Sequence, residues 1–234
     1  MEHLINKKAI DFRLKNNEKK LSPVDCYKLL EKLGVLTVFL PGGTESSISG
    51  MALKAGEHRF MMINSDMPLG RQHFTICHEL YHLFEQENFV TETCSLDSFN
   101  KKDKNEYDAD LFAMYLMLPE DSILSRIPDD EFEKSKISIS TLLTIERDLQ
   151  CSHLALLYRL FNLKIINKET FEKLKKIKLI DEANKLGFDT KLYSKGNENR
   201  VIGNYQALAQ QAFDDEKISE SHYISLLQDI FIDL

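Results

Sequence analysis

The chain has 234 residues, of which 43% are hydrophobic, and its 37 acidic and 30 basic side chains give a formal net charge of −7. This length allows one large domain or two small ones with a sizeable core, and the negative charge argues against non-specific nucleic-acid binding by the whole chain. Residues 1–8 show neither the apolar run nor the cleavage site of a signal peptide, and no apolar stretch approaches the roughly 18 residues that span a bilayer. We therefore expect a cytoplasmic protein that makes no membrane contact.

Four cysteines are scattered along the chain without C-x-x-C spacing: Cys26, Cys77, Cys94 and Cys151. That pattern is typical of reduced thiols in a cytosolic protein and not of a disulfide frame. We expect each of them to pack as a small buried hydrophobe.

The N-terminal part predicts helices followed by a strand. Apolar positions among many charges predict an amphipathic helix over residues 2–20. Ser22 followed by Pro23 has the pattern of an N-cap with proline at the first helical position, and this second helix should end at Gly34. The β-branched and aromatic run at residues 35–40 predicts a strand.

A hairpin and two long helices are predicted next. The hairpin strands cover residues 48–54 and 59–63. A helix should then run from near Arg71 to Glu87. The polar segment 92–104 predicts a loop, and a second strong helix follows from about residue 104 to Leu118.

The second half of the chain is predicted to be helical. The predicted helices cover residues 138–149, 152–160, 168–185, 203–214 and 219–232. The first two are separated by the short spacing of a helix-turn-helix. We interpret residues 189–200 as a linker before the last two helices.

An H-E-x-x-H sequence, His78-Glu79-Leu80-Tyr81-His82, lies inside the helix predicted from Arg71. Two histidines four residues apart share one helical face, so both imidazoles can bind a single ion. Glu79 flanks that face, where it can take a proton from metal-bound water. The pattern indicates a zinc hydrolase in which His78 and His82 are two of three protein ligands. His73 is five residues before the first histidine, points away from this face, and should have a packing or capping role.

The third ligand should be a Glu, Asp or His from another element, and Glu106 is the best candidate. Helical spacing places Glu106 and Asp110 one turn apart on the same face, beside Ala109 and Ala113, which are small enough to let the two helices pack closely. In this E-x-x-x-D arrangement Glu106 binds the metal, and Asp110 accepts a hydrogen bond that fixes the tautomer of a ligand imidazole. Tyr107 is a candidate donor to the oxyanion of a tetrahedral intermediate, although simple packing is the commoner role.

These segments resemble a known family. Residues Arg71–Phe84 resemble the "R-x-x-F-T-x-x-H-E-x-x-H" helix of the ImmA/IrrE metallopeptidases, and Glu106–Ala113 is similar to that family's "E-x-x-A-D/N-x-F-A" helix. The similarity extends from about residue 20 to 165, because Ser140–Leu163 also resembles the helix-turn-helix-like piece of the family. One departure is the order Met117-Leu118-Pro119, which reverses the usual "L-M-P" and should not affect the metal site.

The resemblance implies a cytosolic zinc endopeptidase, often encoded beside a helix-turn-helix repressor that it cleaves. We therefore expect an α+β chain that begins with a zincin-like metallopeptidase domain, residues 1–130, containing a small, mostly antiparallel sheet. A helix-turn-helix-like region, 131–188, and a helical tail, 189–234, should follow. Zn²⁺ is the expected cofactor, although a His₂Glu site also accepts manganese, cobalt or iron. The expected partner is a protein substrate, namely the co-encoded repressor.

Other interpretations remain open at this point. Residues 134–180 contain ten basic and four acidic side chains, so this half could bind DNA or a partner while the metal site is latent or structural. The apolar second helix of the pair favours packing or partner docking over base reading. A third hypothesis is that the tail beyond about residue 190 covers the cleft. Finally, the hairpin at 48–63 could offer an edge to an extended substrate or could be an ordinary covered edge.

Overall fold

A computed structural model describes residues 2–43, 48–87, 89, 91–95, 99, 103–133 and 136–228, with residues 91–95 and 133 described by their backbone alone. The α-helices are α1 (Glu2–Lys15), α2 (Cys26–Leu33), α3 (Leu69–Phe84), α4 (Lys104–Met117), α5 (Glu120–Leu124), α6 (Asp129–Glu133), α7 (Ile139–Leu149), α8 (His153–Asn162), α9 (Lys168–Lys175), α10 (Leu179–Lys185), α11 (Tyr205–Asp214) and α12 (Glu220–Gln228). The strands are β1 (Leu36–Leu40), β2 (Ile48–Ala55), β3 (His58–Asn64), β4 (Thr91–Ser95) and β5 (Val201–Ile202), and a short 3₁₀ helix covers Lys191–Tyr193. The predicted α+β class is confirmed.

The strands form one sheet in the order β4-β2-β3-β1-β5. Three of its four neighbouring pairs are antiparallel, and β1 pairs with β3 in parallel, from Leu36 opposite Phe60 to Leu40 opposite Asn64. The sheet is therefore mostly antiparallel, as predicted, but mixed. The parallel pair arises because the chain passes from β1 to β2 and returns through the hairpin to place β3 between them.

The second helix begins later than its sequence pattern predicts. Asp25, not Ser22, is the N-cap of α2, and its carboxylate accepts a hydrogen bond of 3.2 Å from the backbone N–H of Lys28. Pro23 therefore lies outside the helix. The predicted end is confirmed, because Gly34 caps α2 with a φ of 64°, a left-handed conformation that glycine adopts without steric cost.

Helix α3 lies between the sheet and α4, and it begins and ends slightly earlier than predicted. Thirteen of its 16 residues are buried. A helix buried on nearly every side belongs to the core rather than to the surface. The H-E-x-x-H residues are therefore inside the protein, between β2 on one side and α4 on the other.

Strand β4 occupies part of the segment that was predicted to be a loop, so that prediction is wrong for residues 92–95. It pairs antiparallel with β2 from Leu53 opposite Thr91 to Ile48 opposite Ser95. Because β4 covers the outer edge of β2, the hairpin offers no open edge there to a substrate, and that hypothesis is also wrong. Residues 96–98 and 100–102 of the predicted loop lie outside the described residues.

The helices at 138–149 and 152–160 are confirmed as α7 and α8, with Ser138 and Ser152 as N-caps. The apolar side of α8 is buried, and its buried aliphatic residues are Ala155, Leu156, Leu157 and Leu160. A helix-turn-helix of the DNA-binding kind stays a prediction. The single helix predicted over residues 168–185 is wrong, because the chain leaves the helical path at residues 176–178 and forms α9 and α10.

The segment interpreted as a linker, residues 189–200, packs against α2 and α3. The fully buried Gln72 side chain donates a hydrogen bond of 2.9 Å to the carbonyl of Gly196. The amide of Asn197 donates to the Gln72 oxygen and to the Tyr27 hydroxyl, each at 2.9 Å. Strand β5 then pairs with β1. These residues are thus part of the packed fold.

Two buried arginines hold the C-terminal end of α4. Arg13 of α1, which ends at Lys15 and not near residue 20, donates to the Leu116 carbonyl at 2.5 Å, and Arg159 of α8 donates to the Leu118 carbonyl at 3.0 Å. Burial lowers the pKa of both guanidinium groups. Positive charge is favourable at a helix C-terminus, where carbonyls lack helical partners. Helices α1 and α8 therefore meet at one end of α4.

The remaining predictions concern thiols and the chain end. Cys26, Cys77 and Cys151 are buried free thiols, as predicted, and the side chain of Cys94 lies outside the described residues. Helices α11 and α12 confirm the last two predicted helices as far as residue 228. None of the helices in the described part of the chain combines the length and the apolar character that crossing a membrane requires.

Candidate metal centre

The three predicted ligands converge between α3 and α4. The Nε2 atoms of His78 and His82 lie 3.0 Å apart. Glu106 Oε2 lies 3.3 Å from His78 Nε2, and Glu106 Oε1 lies 3.3 Å from His82 Nε2. Tetrahedral zinc with bonds of about 2.05 Å separates neighbouring donor atoms by about 3.3 Å. The donor set therefore fits a four-coordinate divalent cation with one position left for water or substrate.

Local sequence explains why these side chains meet. The two histidines are one turn apart on α3, and Glu106 lies in the first turn of α4. Asp103 caps α4 and accepts hydrogen bonds from the N–H groups of Asn105 and Glu106 at 2.9 and 3.3 Å. A cap at this point fixes the backbone that carries the ligand. Glu106, the carboxylate of the candidate ligand set, is therefore held by the start of its helix.

Each ligand imidazole has a hydrogen-bond acceptor at its other nitrogen. His78 Nδ1 lies 2.9 Å from Asp110 Oδ1, and His82 Nδ1 is hydrogen-bonded to Gln86 Oε1. Because a carboxylate or amide oxygen can only accept, both Nδ1 atoms carry the proton and both Nε2 atoms present lone pairs. Two lone pairs facing each other beside a carboxylate repel, and a cation between them removes the repulsion.

The charge state of Glu106 suits a metal ligand. Burial alone would raise the pKa of its carboxyl, but when His78 and His82 carry the protons that a metal ion would replace, their hydrogen bonds and charges outweigh burial and lower the pKa to about 2. The carboxylate is therefore ionised at neutral pH. The Glu106 side chain is 20% exposed, whereas both histidine side chains are 1% exposed. Of the three ligand side chains, that of Glu106 is thus the most exposed.

Glu79 follows the first ligand on α3 and lies against the sheet. Its side chain is fully buried. An ideal Cβ placed on Gly50 of β2 would be only 3.1 Å from Glu79 Oε1, so the carboxylate lies directly over the backbone of the strand. Glu79 is thus a buried carboxylate adjacent in sequence to the first ligand, with β2 as its floor.

Tyr107, the candidate oxyanion donor, makes a contact with α1. Its hydroxyl donates a hydrogen bond of 3.1 Å to Glu2 Oε1. Burial, followed by the charge of Glu2, raises the pKa of the Tyr107 hydroxyl to about 12. Donation to a substrate oxyanion would require this bond to break, and the role of Tyr107 in catalysis stays a prediction.

His73 has the capping role that its spacing predicted. Its Nδ1 donates at 2.9 Å to the carbonyl of Gln150, the C-cap of α7, and its Nε2 accepts from the Tyr27 hydroxyl at 3.0 Å. Burial lowers the pKa of the imidazole. His73 is therefore a neutral side chain that joins α2, α3 and α7, and it is not a ligand.

Sequence reasoning missed three residues at the site. Gln86 holds His82, Phe89 stacks on the same imidazole with ring centroids 5.5 Å apart and planes inclined by 24°, and Gly50 lies under Glu79. Gln86 could have been found, because it follows His82 by one helical turn. Phe89 and Gly50 carry no local signal, since their roles depend on contacts between separate elements.

Comparison with known proteins adds one finding. A family model described as Peptidase_M78, IrrE N-terminal-like domain, matches residues 30–161. This range contains α3, α4 and the three residues that could hold a metal. No curated protein matches the chain.

Proposed function

Because the chain belongs to the M78 peptidase family of IrrE N-terminal-like domains, we propose that it is a zinc-dependent endopeptidase. The observation that carries this proposal is the convergence of His78, His82 and Glu106 around one point, with Glu79 buried beside them. The two imidazoles are borderline donors, and a set of two imidazoles with one carboxylate suits zinc better than magnesium or calcium. Three ligands with an open fourth position are typical of catalytic zinc rather than structural zinc.

Glu79 is the proposed general base. When bound, zinc supplies Lewis acidity, which polarises a peptide carbonyl and lowers the pKa of a water molecule. Glu79 accepts a proton from the attacking water and delivers it to the nitrogen of the leaving amine as the C–N bond breaks. Burial of its carboxylate excludes bulk water, so the interaction with a neighbouring cation is stronger than at the surface.

Other residues keep the ligands in the binding form. Asp110 and Gln86 hold the protons of the two imidazoles on Nδ1, which leaves Nε2 of each ring to bind the ion. The carboxylate of Glu106 neutralises one of the two charges of the ion. The resulting centre carries one positive charge, and it is a stronger Lewis acid than a centre with several anionic ligands.

We also propose that the substrate is a helix-turn-helix repressor encoded beside this gene. Support for this part comes from the resemblance of the α3 and α4 segments to metallopeptidases that cleave such repressors. An extended segment of substrate could pair with β4, the strand next to β2 at the end of the described sheet. The adjacent reading frame provides the first substrate to test.

The test is Glu79→Gln, compared with Glu85→Gln. The first removes the base but keeps the shape, so zinc should remain bound while cleavage of the neighbouring repressor, or of fluorescein-labelled casein, falls by about 10²–10⁴-fold. Glu85 is the residue directly after α3, and its Oε2 atom lies 4.0 Å from Lys8 Nζ. Glu85→Gln should therefore cleave like wild type. A chelator should abolish cleavage and added zinc should restore it. Wild-type rates from zinc-loaded Glu79→Gln would contradict the mechanism.

A second candidate function is partner binding through residues 134–180. The observation that favours it is a set of exposed lysines around α9, namely Lys164, Lys168, Lys173, Lys175, Lys176 and Lys178. Since the apolar side of α8 is buried, that helix has little surface for reading bases, and an acidic protein surface suits these lysines better. A salt-dependent shift of DNA by metal-free protein would instead favour DNA binding.

A further inference from the structure

We propose that Gly50 of β2 is a positioning residue that fixes the place of Glu79 over the sheet. This inference rests on the proposed peptidase function. Gly50 lies outside both sequence motifs. Its lack of a side chain sets how closely α3 approaches β2, the strand beneath it.

The space above Gly50 is already filled by α3. An ideal Cβ on this residue would lie 2.5 Å from Thr75 Cγ2, 3.1 Å from Glu79 Oε1 and 3.2 Å from the carbonyl oxygen of Met62. Carbon atoms in contact normally lie about 3.5–4.0 Å apart. Gly50 does not have a positive φ. Glycine is therefore needed here for its lack of a side chain and not for its backbone freedom.

The two side chains over Gly50 come from successive turns of α3. Thr75 and Glu79 are four residues apart, so they lie on one face of the helix, and they are 1% and 0% exposed. Threonine is branched at Cβ, which restricts χ1 in a helix. Thr75 is also buried, so its methyl group has little space into which it can turn away from an added Cβ, and part of the strain passes to the backbone of α3.

The strand cannot yield in place of the helix. Gly50 is paired on both sides, with Ile63 of β3 and with Cys94 of β4, and the register shifts between Ile48 and Gly50. A strand inside a sheet is held by ladder hydrogen bonds to both neighbours. A register shift of this kind bends the strand and sets its local direction. An added methyl group should thus lift α3 from the sheet by about 1 Å.

A displacement of this size matters for catalysis. A misplacement of about 1 Å can cost about 10²-fold in rate. Glu79 and the two histidine ligands travel together with α3, and the partly exposed side chain of Glu106 can follow them. The displacement therefore separates these groups from a peptide held against the sheet and not from one another. Gly50→Ala should therefore reduce kcat by about 10²-fold, whereas KM and zinc affinity should change much less.

The experiment pairs Gly50→Ala with two changes at Thr75. Thr75→Ser removes the methyl group that the new Cβ would meet, and should restore turnover of fluorescein-labelled casein by tenfold or more, on the order of the lost factor. Thr75→Val keeps that methyl group and should restore nothing. Gly56→Ala is the control, because Gly56 has a φ of +60° in open space. This control should lower stability and leave kcat unchanged.

Two measurements do not depend on proteolysis. The electronic spectrum of the cobalt(II)-substituted protein should be unchanged in Gly50→Ala, since the three ligands remain. The second is the urea unfolding midpoint of the single and double variants. Gly50→Ala should lower this midpoint less when it is combined with Thr75→Ser, and by the same amount when it is combined with Thr75→Val. If wild-type protein cleaves nothing, the proposed function fails while these midpoints still test the contact.

Clear results would overturn the inference. These are a kcat for Gly50→Ala within about twofold of wild type, equal rescue by Thr75→Ser and Thr75→Val, or urea midpoints whose changes simply add. If Gly50→Ala does not fold, the inference is supported when the double variant with Thr75→Ser folds and the double variant with Thr75→Val does not. Recovery with both changes, or with neither, overturns it.

Discussion

Replacing Asp110 with asparagine should weaken zinc binding although the shape of the side chain is kept. Asp110 is 3% exposed, and its two oxygens accept from two donors, His78 Nδ1 and the backbone N–H of Phe99. Asparagine has one oxygen and one NH₂ group, so it can accept from only one of these donors. The substitution therefore leaves one buried donor facing another.

Both orientations of the asparagine are unfavourable. If its oxygen faces His78, a charge-assisted hydrogen bond becomes a neutral one of about half the strength, and the Phe99 N–H faces NH₂ at a cost of about 1–3 kcal/mol. If NH₂ faces His78, Nδ1 must accept, the proton moves to Nε2, and the lone pair that binds zinc is lost. The cost at the Phe99 N–H is present with or without zinc and lowers stability. The weaker hold on the Nδ1 proton should lower zinc affinity by about 10–100-fold, which corresponds to about 1.4–2.8 kcal/mol.

A competition titration against a chromophoric zinc chelator measures this change. Asp108→Asn is a matched control, because Asp108 is on the same helix, is 4% exposed and faces Lys104 at 3.6 Å instead of the metal ligands. That variant should bind zinc like wild type. Equal zinc affinities for Asp110→Asn and wild type would refute the reasoning that Asp110 holds the tautomer of His78.

Three further outcomes are expected. Gln86→Leu removes the acceptor for His82 Nδ1, and because that acceptor is uncharged, zinc affinity should fall less than in Asp110→Asn; a larger fall in the same titration would contradict this. The stability contribution of neutral His73 is complete above the ordinary imidazole pKa of 6.5 and is lost as pH falls toward its lowered pKa, because the unfolded chain takes up the proton first. When the pH is lowered from about 7.5 to about 5.5, the free energy of unfolding should therefore fall less for metal-free His73→Gln than for metal-free wild type. Urea titrations measure this difference, and equal losses in the two proteins would contradict the prediction. Deleting α11 and α12 should hardly change the urea midpoint. A longer deletion that also removes the 3₁₀ helix and β5 should lower the midpoint, since the buried Gln72 amide loses partners. Unchanged proteolysis after the shorter deletion would remove the hypothesis that α11 and α12 cover the cleft.

Helices with local end signals could be predicted from the sequence. Ser138 and Ser152 cap α7 and α8, and Gly34 ends α2, as their residue types indicate. The start of α2 could not be decided in this way, because Ser22 and Asp25 are both good caps and only the packed structure selects one. A similar limit applies at residues 176–178, where the helix breaks without glycine or proline.

Sheet features depended on distant partners and were harder to predict. Residues 91–95 form β4 because the edge of β2 accepts them, and their polar sequence alone resembles a loop. The parallel pairing of β1 with β3 likewise follows from the path of the chain and not from either strand.

The candidate site was more predictable than the sheet that supports it. The spacing of His78 and His82 fixes their common face, and Glu106 with Asp110 repeats that logic on α4. Gly50 could not be found in this way, because its importance lies in atoms of another helix that occupy the place of its missing side chain.

The arginine contacts at the end of α4 make that end a pivot. Arg13 and Arg159 fix the carbonyls of Leu116 and Leu118, whereas Glu106 lies about 15 Å away along the helix axis. A tilt of only about 4° around the pivot would therefore move the backbone of Glu106 by about 1 Å. Asp110 is nearer to the pivot and would move less. A tilt of α4 about this end, which the Tyr107 bond to Glu2 of α1 resists, would thus shift the third ligand position more than the bond that orients His78.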